Sequence, residues 1–428
     1  MRALHGVLAA AIVVPTLTVA VALEQRTDVF VESSNHPAIS YRTGPVHNAV
    51  ADLDQRLQQG ATRLAFDRDT GYLRAAIDAL KIPIESQVLV FSQTRAQAKQ
   101  IGPRNPRAVY FGDTVAVGWV RGAGVLELAA HDRQQGVVFY TLDQTPADAP
   151  RLKRDNSCLL CHLTWDTLGV PGMQMLSTFQ MSDDPNAYAG GIVVDHRSPL
   201  SQRWGGWYVT GKAGFAPPQL GNIPVVVPAA ELEKPRRSPP LESVAQQFDT
   251  TGFPSRHSDV VALMVLAHQA HMTNLLTRVG WETRVADAAG LGSGRVPPRV
   301  REAAADLVDY LLFVDETPLA GRIEGASGFA ERFAAGGPRD GKGRSLRQLD
   351  LRQRLLRYPC SYMIYAPAFD ALPRTAKNII YSRMWQILSG EEKGARYARL
   401  APADRQAIVE ILRDTKSDLP DEFRRTGR

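Results

Sequence analysis

The sequence is poor in cysteine, and it has no long apolar run beyond its first 23 residues. Only three cysteines occur in 428 residues: Cys158 and Cys161 in one short motif, and Cys360 far from it. Beyond the N-terminus no stretch is long and apolar enough to cross a bilayer, so we expect the mature chain to lack a membrane span. The net charge of +6 is spread along the chain, without a groove-reading motif or interleaved basic and aromatic residues. We therefore expect no nucleic-acid partner.

The N-terminus has the pattern of an export signal. Met1 and Arg2 give a short positive start, an apolar run follows from Gly6 to Val21, and Ala20 to Ala22 form an A-x-A cleavage pattern. The alternative, an uncleaved membrane anchor, needs about 20 apolar residues. The apolar run barely reaches that length and is interrupted by Pro15. The sequence therefore predicts a signal peptide at 1–22 and a periplasmic location.

One motif carries specific chemistry, Cys158-Leu-Leu-Cys-His162. In C-x-x-C-H, two thiols in a tight turn add to the two vinyl groups of a haem, and the adjacent histidine binds the iron. A redox C-x-x-C motif and a zinc site are the alternatives. The first is typical of a βαβ unit, and the second needs two further soft ligands. The motif predicts one covalently bound haem c on Cys158 and Cys161, with His162 as the proximal iron ligand.

The second axial ligand has several candidates. Met173 and Met175 follow a Pro/Gly loop close to the motif, although methionine packing is an equally good interpretation. His268 and His271 share one side of a predicted helix, where a buried core role competes with iron ligation or acid/base work. Arg154, Arg197 and Arg203 are candidates for contacts to haem propionates.

The hydrophobic periodicity divides the chain into five parts. The predicted α+β fold has an N-terminal mixed region with an antiparallel sheet, which carries the haem, followed by a helical C-terminal region. After the signal peptide the predicted parts are a mixed α/β region at 23–150, a haem-attachment region at 151–227, a Pro-rich linker at 228–257 and a helical region at 258–428. In the mixed region short β-branched and aromatic runs between Gln87 and Thr141 predict the strands. In the helical region the predicted helices include 258–279 and 345–356.

The chain resembles a family of exported bacterial proteins known as cytochrome c domain-containing. The segments that carry the resemblance are Gln87–Ser92, Arg107–Phe111, Val117–Trp119, Phe139–Gln144, Cys158–His162, Gly169–Gly172, Arg203–Gly211, His268–Gln269, Tyr358–Tyr362 and Ala368–Pro373. The resemblance implies haem binding and electron transfer, without a known activity. Members carry a histidine in the segment that follows the Trp-rich stretch, and residues 210–222 here have none.

We therefore expect a periplasmic monohaem c-type cytochrome that transfers electrons to or from a redox partner protein. Two other classes stay open. One is a haem enzyme of peroxidase or oxidase type, with an open iron and His268 or His271 as the distal acid/base group. The other is a haem-based sensor.

Overall fold

The computed structural model describes residues 33–93, 97–182, 191–213, 219–231, 238–290 and 296–424. The predicted signal peptide at 1–22 lies outside these residues. Helices and an antiparallel sheet occur together, which confirms the α+β class. The arrangement of helices before the sheet and more helices after it follows the predicted order.

The main sheet has six strands, and each strand pairs antiparallel with the next strand along the chain. This confirms the antiparallel sheet predicted from the short β-branched and aromatic runs. The strands are β1 (Val88–Val90), β2 (Arg107–Phe111), β3 (Val115–Trp119), β4 (Val125–Asp132), β5 (Gly136–Asp143) and β6 (Leu152–Arg154).

The two faces of this sheet are covered to different extents. The first face, which includes Leu126 and Leu128, packs in one hydrophobic core with two N-terminal helices, α1 (Ala49–Gln58) and α2 (Leu73–Ala79). The second face is only half-buried in its middle. There the register places small side chains in neighbouring strands, with Ala116 opposite Ala129 and Gly118 opposite Glu127. The middle of the sheet therefore has one closed face and one partly open face.

Short strand pairs and turns follow the main sheet. They contain a one-turn helix, α3 (Leu159–His162), and the strands β7 (Leu176–Thr178), β8 (Met181–Ser182), β9 (Gly191–Val193), β10 (Lys212–Ala213), β11 (Val226–Val227) and β12 (Ile323–Glu324). β7 pairs with β9 and β10 with β12, both antiparallel, whereas β8 and β11 are parallel.

The C-terminal part is mainly helical. It contains α4 (Val260–Ala288), α5 (Pro298–Leu311), α6 (Phe329–Ala335), α7 (Pro367–Asp370), α8 (Arg374–Leu388), α9 (Pro402–Thr415) and α10 (Asp421–Arg424). α4 begins at a side-chain cap, because one carboxylate oxygen of Asp259 accepts the backbone N–H groups of Val261 and Ala262 at 2.8 and 3.1 Å. Among the described residues α4 alone has the length and hydropathy of a membrane span, and 94 % of its most apolar window is buried inside the protein.

Residues 345–356 and the predicted linker differ in how they compare with the sequence. The helix predicted at 345–356 is wrong, since these residues form turns. Asp350 accepts backbone N–H groups from residues 352 and 353 at 2.9 and 2.7 Å, and Leu351 has a positive φ of 57°, so local side-chain bonding replaces the helix. In the segment expected as a linker, the described residues include Val244 and Phe248, which are buried in the core of the main sheet.

Candidate haem-attachment site

The Cys158–His162 motif forms a compact turn directly after β6. A short 3-10 turn, Asn156–Cys158, leads into α3, and Asp155 caps the turn by accepting the Ser157 N–H at 2.9 Å. Cys158 and Cys161 are half-buried, and both are free thiols. The two free thiols are separated by two residues within one short helical turn, which is the spacing that thioether attachment to a haem requires.

His162 is held by a loop ten residues further along the chain. Its Nδ1 lies 3.0 Å from the carbonyl oxygen of Gly172, and the N–H of Gly172 donates to the carbonyl of His162 at 2.9 Å. A carbonyl can only accept, so Nδ1 carries the proton and Nε2 carries the lone pair. No residue that the structure describes bonds to Nε2. This is the arrangement of a metal-binding histidine, whose second ring nitrogen donates to a backbone carbonyl.

The environment of the His162 ring keeps it neutral. The ring packs against Phe139 on the second face of the sheet, with 4.7 Å between ring centres. Burial lowers the pKa of His162, the bond to Gly172 opposes that change, and the charge of Arg107 lowers the pKa further. A neutral imidazole is the form that binds a metal ion.

Cys158 has the opposite of an activated thiol's environment. Burial and the nearby carboxylates of Asp155 and Glu127 raise the pKa of Cys158 to about 11. Reactive cysteines of redox C-x-x-C motifs have a lowered pKa. This finding makes the redox interpretation of the motif less favourable than covalent attachment.

The surroundings of the motif are apolar and incompletely covered. Leu160 is 71 % exposed and Trp165 is 60 % exposed, five positions apart along the chain. Beneath the motif, Phe139 stands beside Ala129, its cross-strand partner on the half-buried second face. A flat apolar group bound at the motif would find apolar contacts on this face.

An ion pair on the same face was not singled out by the sequence. The Nε of Arg107 lies 3.1 Å from a carboxylate oxygen of Glu127. The charge of Arg107 acts on His162 and that of Glu127 acts on Cys158, so the pair lies beside the motif. The sequence signal was limited to a charge at the start of one strand and a charge in the middle of another.

The loop from Leu168 to Met173 is fixed from two sides. Leu168 and Gly169 have positive φ values of 62° and 71°, which turn the chain back towards the sheet. The carbonyl of Pro171 then accepts the N–H of Val137 in β5 at 3.0 Å. On the other side, the side-chain amide of Asn274 in α4 forms two hydrogen bonds with the backbone of Met173.

The two candidate methionines have different positions. Met173 is half-buried and packs in the same cluster as Cys158 and Leu163. Met175 is 2 % exposed and belongs to the core that contains α4. Of the two, Met173 lies beside the motif.

His268 lies in a separate buried cluster. Its Nδ1 is 2.8 Å from Nδ1 of His196, and its Nε2 is 2.8 Å from Oγ of Ser361. The ring stacks on Tyr310, and burial lowers the pKa of His268 to about 3. Both ring nitrogens are engaged, so His268 could bind iron only by giving up one of these bonds. His271 also packs against Tyr310, with 4.7 Å between the two ring centres.

The arginines considered for haem propionates support the backbone instead. Arg154 donates to the carbonyl of Tyr41 and lies over its ring. Arg197 donates to the carbonyl of Val314 at 3.2 Å. Arg203 is 2 % exposed and donates to carbonyls of residues 196 and 198, both at 2.8 Å.

Comparison with known proteins finds no matching family model, no similar curated protein and no similar solved structure. Within the described residues, no group of three or more histidine, cysteine or carboxylate side chains could hold a bare metal ion. A haem iron needs fewer protein ligands, because the porphyrin supplies four nitrogens. The residues of the motif therefore fit a haem better than a bare metal ion.

Proposed function

We propose that the chain is a monohaem c-type cytochrome that transfers electrons. The observation that carries the proposal is the geometry of His162, whose Nδ1 donates to Gly172 while Nε2 is available, one residue after two free thiols. Cys158 and Cys161 would hold the haem through thioether bonds, and His162 would be one axial ligand. When bound, the haem iron would exchange one electron between its ferric and ferrous states.

Electron transfer is favoured over the enzyme interpretation by the state of the histidines. A distal acid/base group needs a ring nitrogen that can reach the substrate. His268 has both nitrogens engaged, to His196 and Ser361. Met173 follows the carbonyl that binds Nδ1 of His162, so it lies on the side of the ring away from Nε2 and could not be the ligand opposite His162 without rearrangement of this loop. The second axial ligand would therefore come from the other side of the haem, and a methionine or histidine there would close the iron to substrates. A redox partner protein would exchange electrons near the exposed Leu160 and Trp165.

The location that we propose is the periplasm. The pattern of residues 1–22 supports export, and c-type haem is attached outside the cytoplasm.

The test is covalent haem after export. The full chain, expressed together with a haem-attachment system, is run on a denaturing gel and stained for haem peroxidase activity. We expect a stained band for the wild type and for Cys360→Ala, because Cys360 is buried far along the chain. Cys158→Ala with Cys161→Ala should lose the stain. An unstained wild type, or stain retained by the double variant, would refute the proposal.

A second measurement separates electron transfer from the other classes. Spectra of the ferric and ferrous protein are recorded with and without carbon monoxide. We expect a low-spin six-coordinate iron that does not bind carbon monoxide. Met173→Ala should leave these spectra unchanged, because Met173 lies on the Nδ1 side of His162 and not across the haem from it. A wild type that binds carbon monoxide readily would contradict the electron-transfer assignment and favour an enzyme or sensor.

A further inference from the structure

We propose that Asn274, in the middle of α4, is a positioning residue for the axial ligand His162. The inference rests on the proposed haem attachment at Cys158–His162. It extends that proposal to a residue that lies 101 positions beyond the loop it holds. Asn274 does not touch the haem motif itself and acts through the peptide between Gly172 and Met173.

The first observation is a pair of hydrogen bonds from one side-chain amide. Oδ1 of Asn274 accepts the backbone N–H of Met173 at 2.9 Å, and Nδ2 donates to the carbonyl of Met173 at 2.7 Å. The N–H of Met173 and the carbonyl of Gly172 belong to the same planar peptide group. Fixing one therefore fixes the other, and the carbonyl of Gly172 is the acceptor for Nδ1 of His162.

The second observation is that the loop leaves room only for this contact. A Cβ atom on Gly172 would lie 2.1 Å from Oδ1 of Asn274 and 2.7 Å from its Cγ. Gly172 has no positive φ that would require glycine for conformational reasons. The glycine is therefore explained by the close approach of the asparagine.

The third observation is burial. Asn274 is 1 % exposed, in the buried central part of α4. A buried amide is costly unless it is fully bonded. The two hydrogen bonds to Met173 give both the oxygen and the nitrogen of the amide a partner. They also attach the loop to α4.

The consequence for a bound haem follows from the second ring nitrogen. A firm Nδ1–H bond to a carbonyl makes Nε2 a stronger electron donor, which favours ferric iron and lowers the reduction potential. When Asn274 no longer holds the peptide, the bond from His162 to Gly172 weakens. The reduction potential should then rise, and the orientation of the imidazole should become less defined.

The same helix supplies a matched control. Gln269 is also a buried amide of α4, and its Nε2 donates to the carbonyl of Gly112 at 2.6 Å, in a loop that does not hold His162. Gln269→Glu and Asn274→Asp each replace an amide by a carboxylate of the same shape. Each substitution keeps an acceptor and removes the donor to a loop carbonyl. Asn274→Ser shortens the side chain without adding a charge.

The experiment compares these variants as full-length haem-loaded protein. We expect Asn274→Ser to retain covalent haem, to shift the reduction potential upward and to broaden the low-spin EPR signal. In Asn274→Asp an ionised carboxylate would by itself lower the potential, so for that variant the expected result is retained haem with a broadened EPR signal. Gln269→Glu should leave both properties as in the wild type. If the Asn274 variants carry haem with wild-type potential and EPR signal, or if Gln269→Glu changes them equally, the inference is wrong.

A haem-free readout separates this inference from the proposed function. In the full chain without haem, nitrogen NMR of the His162 ring reports which nitrogen carries the proton. We expect protonated Nδ1 in the wild type and in Gln269→Glu, and a mixture of both tautomers in Asn274→Ser. A failed haem stain would refute the proposed function alone. An unchanged tautomer in Asn274→Ser would refute the positioning role whether or not haem binds.

Discussion

The contact between Gly172 and Asn274 makes a quantitative prediction for folding stability. Gly172→Ala places a methyl group 2.1 Å from Oδ1 of Asn274, far inside van der Waals contact, so the asparagine must leave. Its two bonds to Met173 are then lost. A buried hydrogen bond contributes about 1 kcal/mol, and a partner left unsatisfied adds to the loss. We expect Gly172→Ala to lower the free energy of unfolding by about 3 kcal/mol.

Asn274→Ala removes the same two bonds and should cost a similar amount, about 3 kcal/mol. The double variant tests whether the two substitutions lower stability by removing the same two hydrogen bonds. With alanine at 274 the two shortest contacts are gone and only Cβ of Thr167, at 3.2 Å, stays close to the added methyl group, so no further hydrogen bonds are broken. We expect the double variant to lose about 3 kcal/mol rather than 6, a coupling energy of about 3 kcal/mol.

The assay is urea unfolding of the full chain, followed by tryptophan fluorescence and by far-ultraviolet circular dichroism. Both probes should give the same midpoint for each variant, so that the four free energies can be compared. Gly124→Ala is a control: like Gly172 it has no positive φ, but it has open space around its Cβ position, so its substitution tests only the effect of adding a methyl group. Additive losses in the double variant would refute the contact between Gly172 and Asn274 as the reason for the glycine.

Three further predictions concern buried polar groups away from the motif. Burial raises the pKa of Glu316 from 4.5 to about 7. The folded state therefore binds this proton more tightly than the unfolded state, and folding stability falls as pH rises from 4.5 to 7. Glu316→Gln should unfold at a higher temperature than the wild type at pH 8 but not at pH 4.5, with a difference in free energy of up to about 3 kcal/mol. The carboxylate of Asp259 accepts two backbone N–H groups at the start of α4 and two more from residues 326 and 327. In urea unfolding Asp259→Ala should cost about 4 kcal/mol, and Asp259→Asn about half as much, because an amide nitrogen cannot accept a hydrogen bond. Equal losses in the two variants would contradict this division. Ser361→Ala leaves Nε2 of His268 without its partner and should cost about 1–3 kcal/mol, whereas a neutral result by the same assay would mean that the bond contributes nothing to stability.

Local pattern predicts the elements of this fold better than their ends. Short β-branched and aromatic runs separated by turn residues predicted the strands from Arg107–Phe111 to Gly136–Thr141, and these residues pack in the cores on the sheet. The α4 helix was predicted to end at Val279, but it continues to Ala288. Gly280 and Glu282 interrupt the apolar pattern there, and Trp281 and Thr283 are nevertheless buried, since tertiary packing continues past the interruption.

The candidate site likewise has one part that the sequence predicts and one part that it does not. The spacing within Cys158–His162 is local, so the sequence could predict the motif as a unit. The bonds that orient it are not local. Asn274 meets Met173 across 101 residues and His196 meets His268 across 72, and such contacts depend on how β7, β9 and α4 come together. A single sequence carries only a weak signal for them, a polar residue within an apolar helix.

The long sequence separation of Asn274 from the loop also sets an order of events. A chain that emerges with its N-terminus first presents Cys158, Cys161 and His162 about a hundred residues before Asn274 follows. At that time the loop of Gly172 has no partner from α4. The two bonds from Asn274 can form only when α4 packs against β5. The orientation of His162 is therefore fixed later in folding than the turn that contains the two thiols.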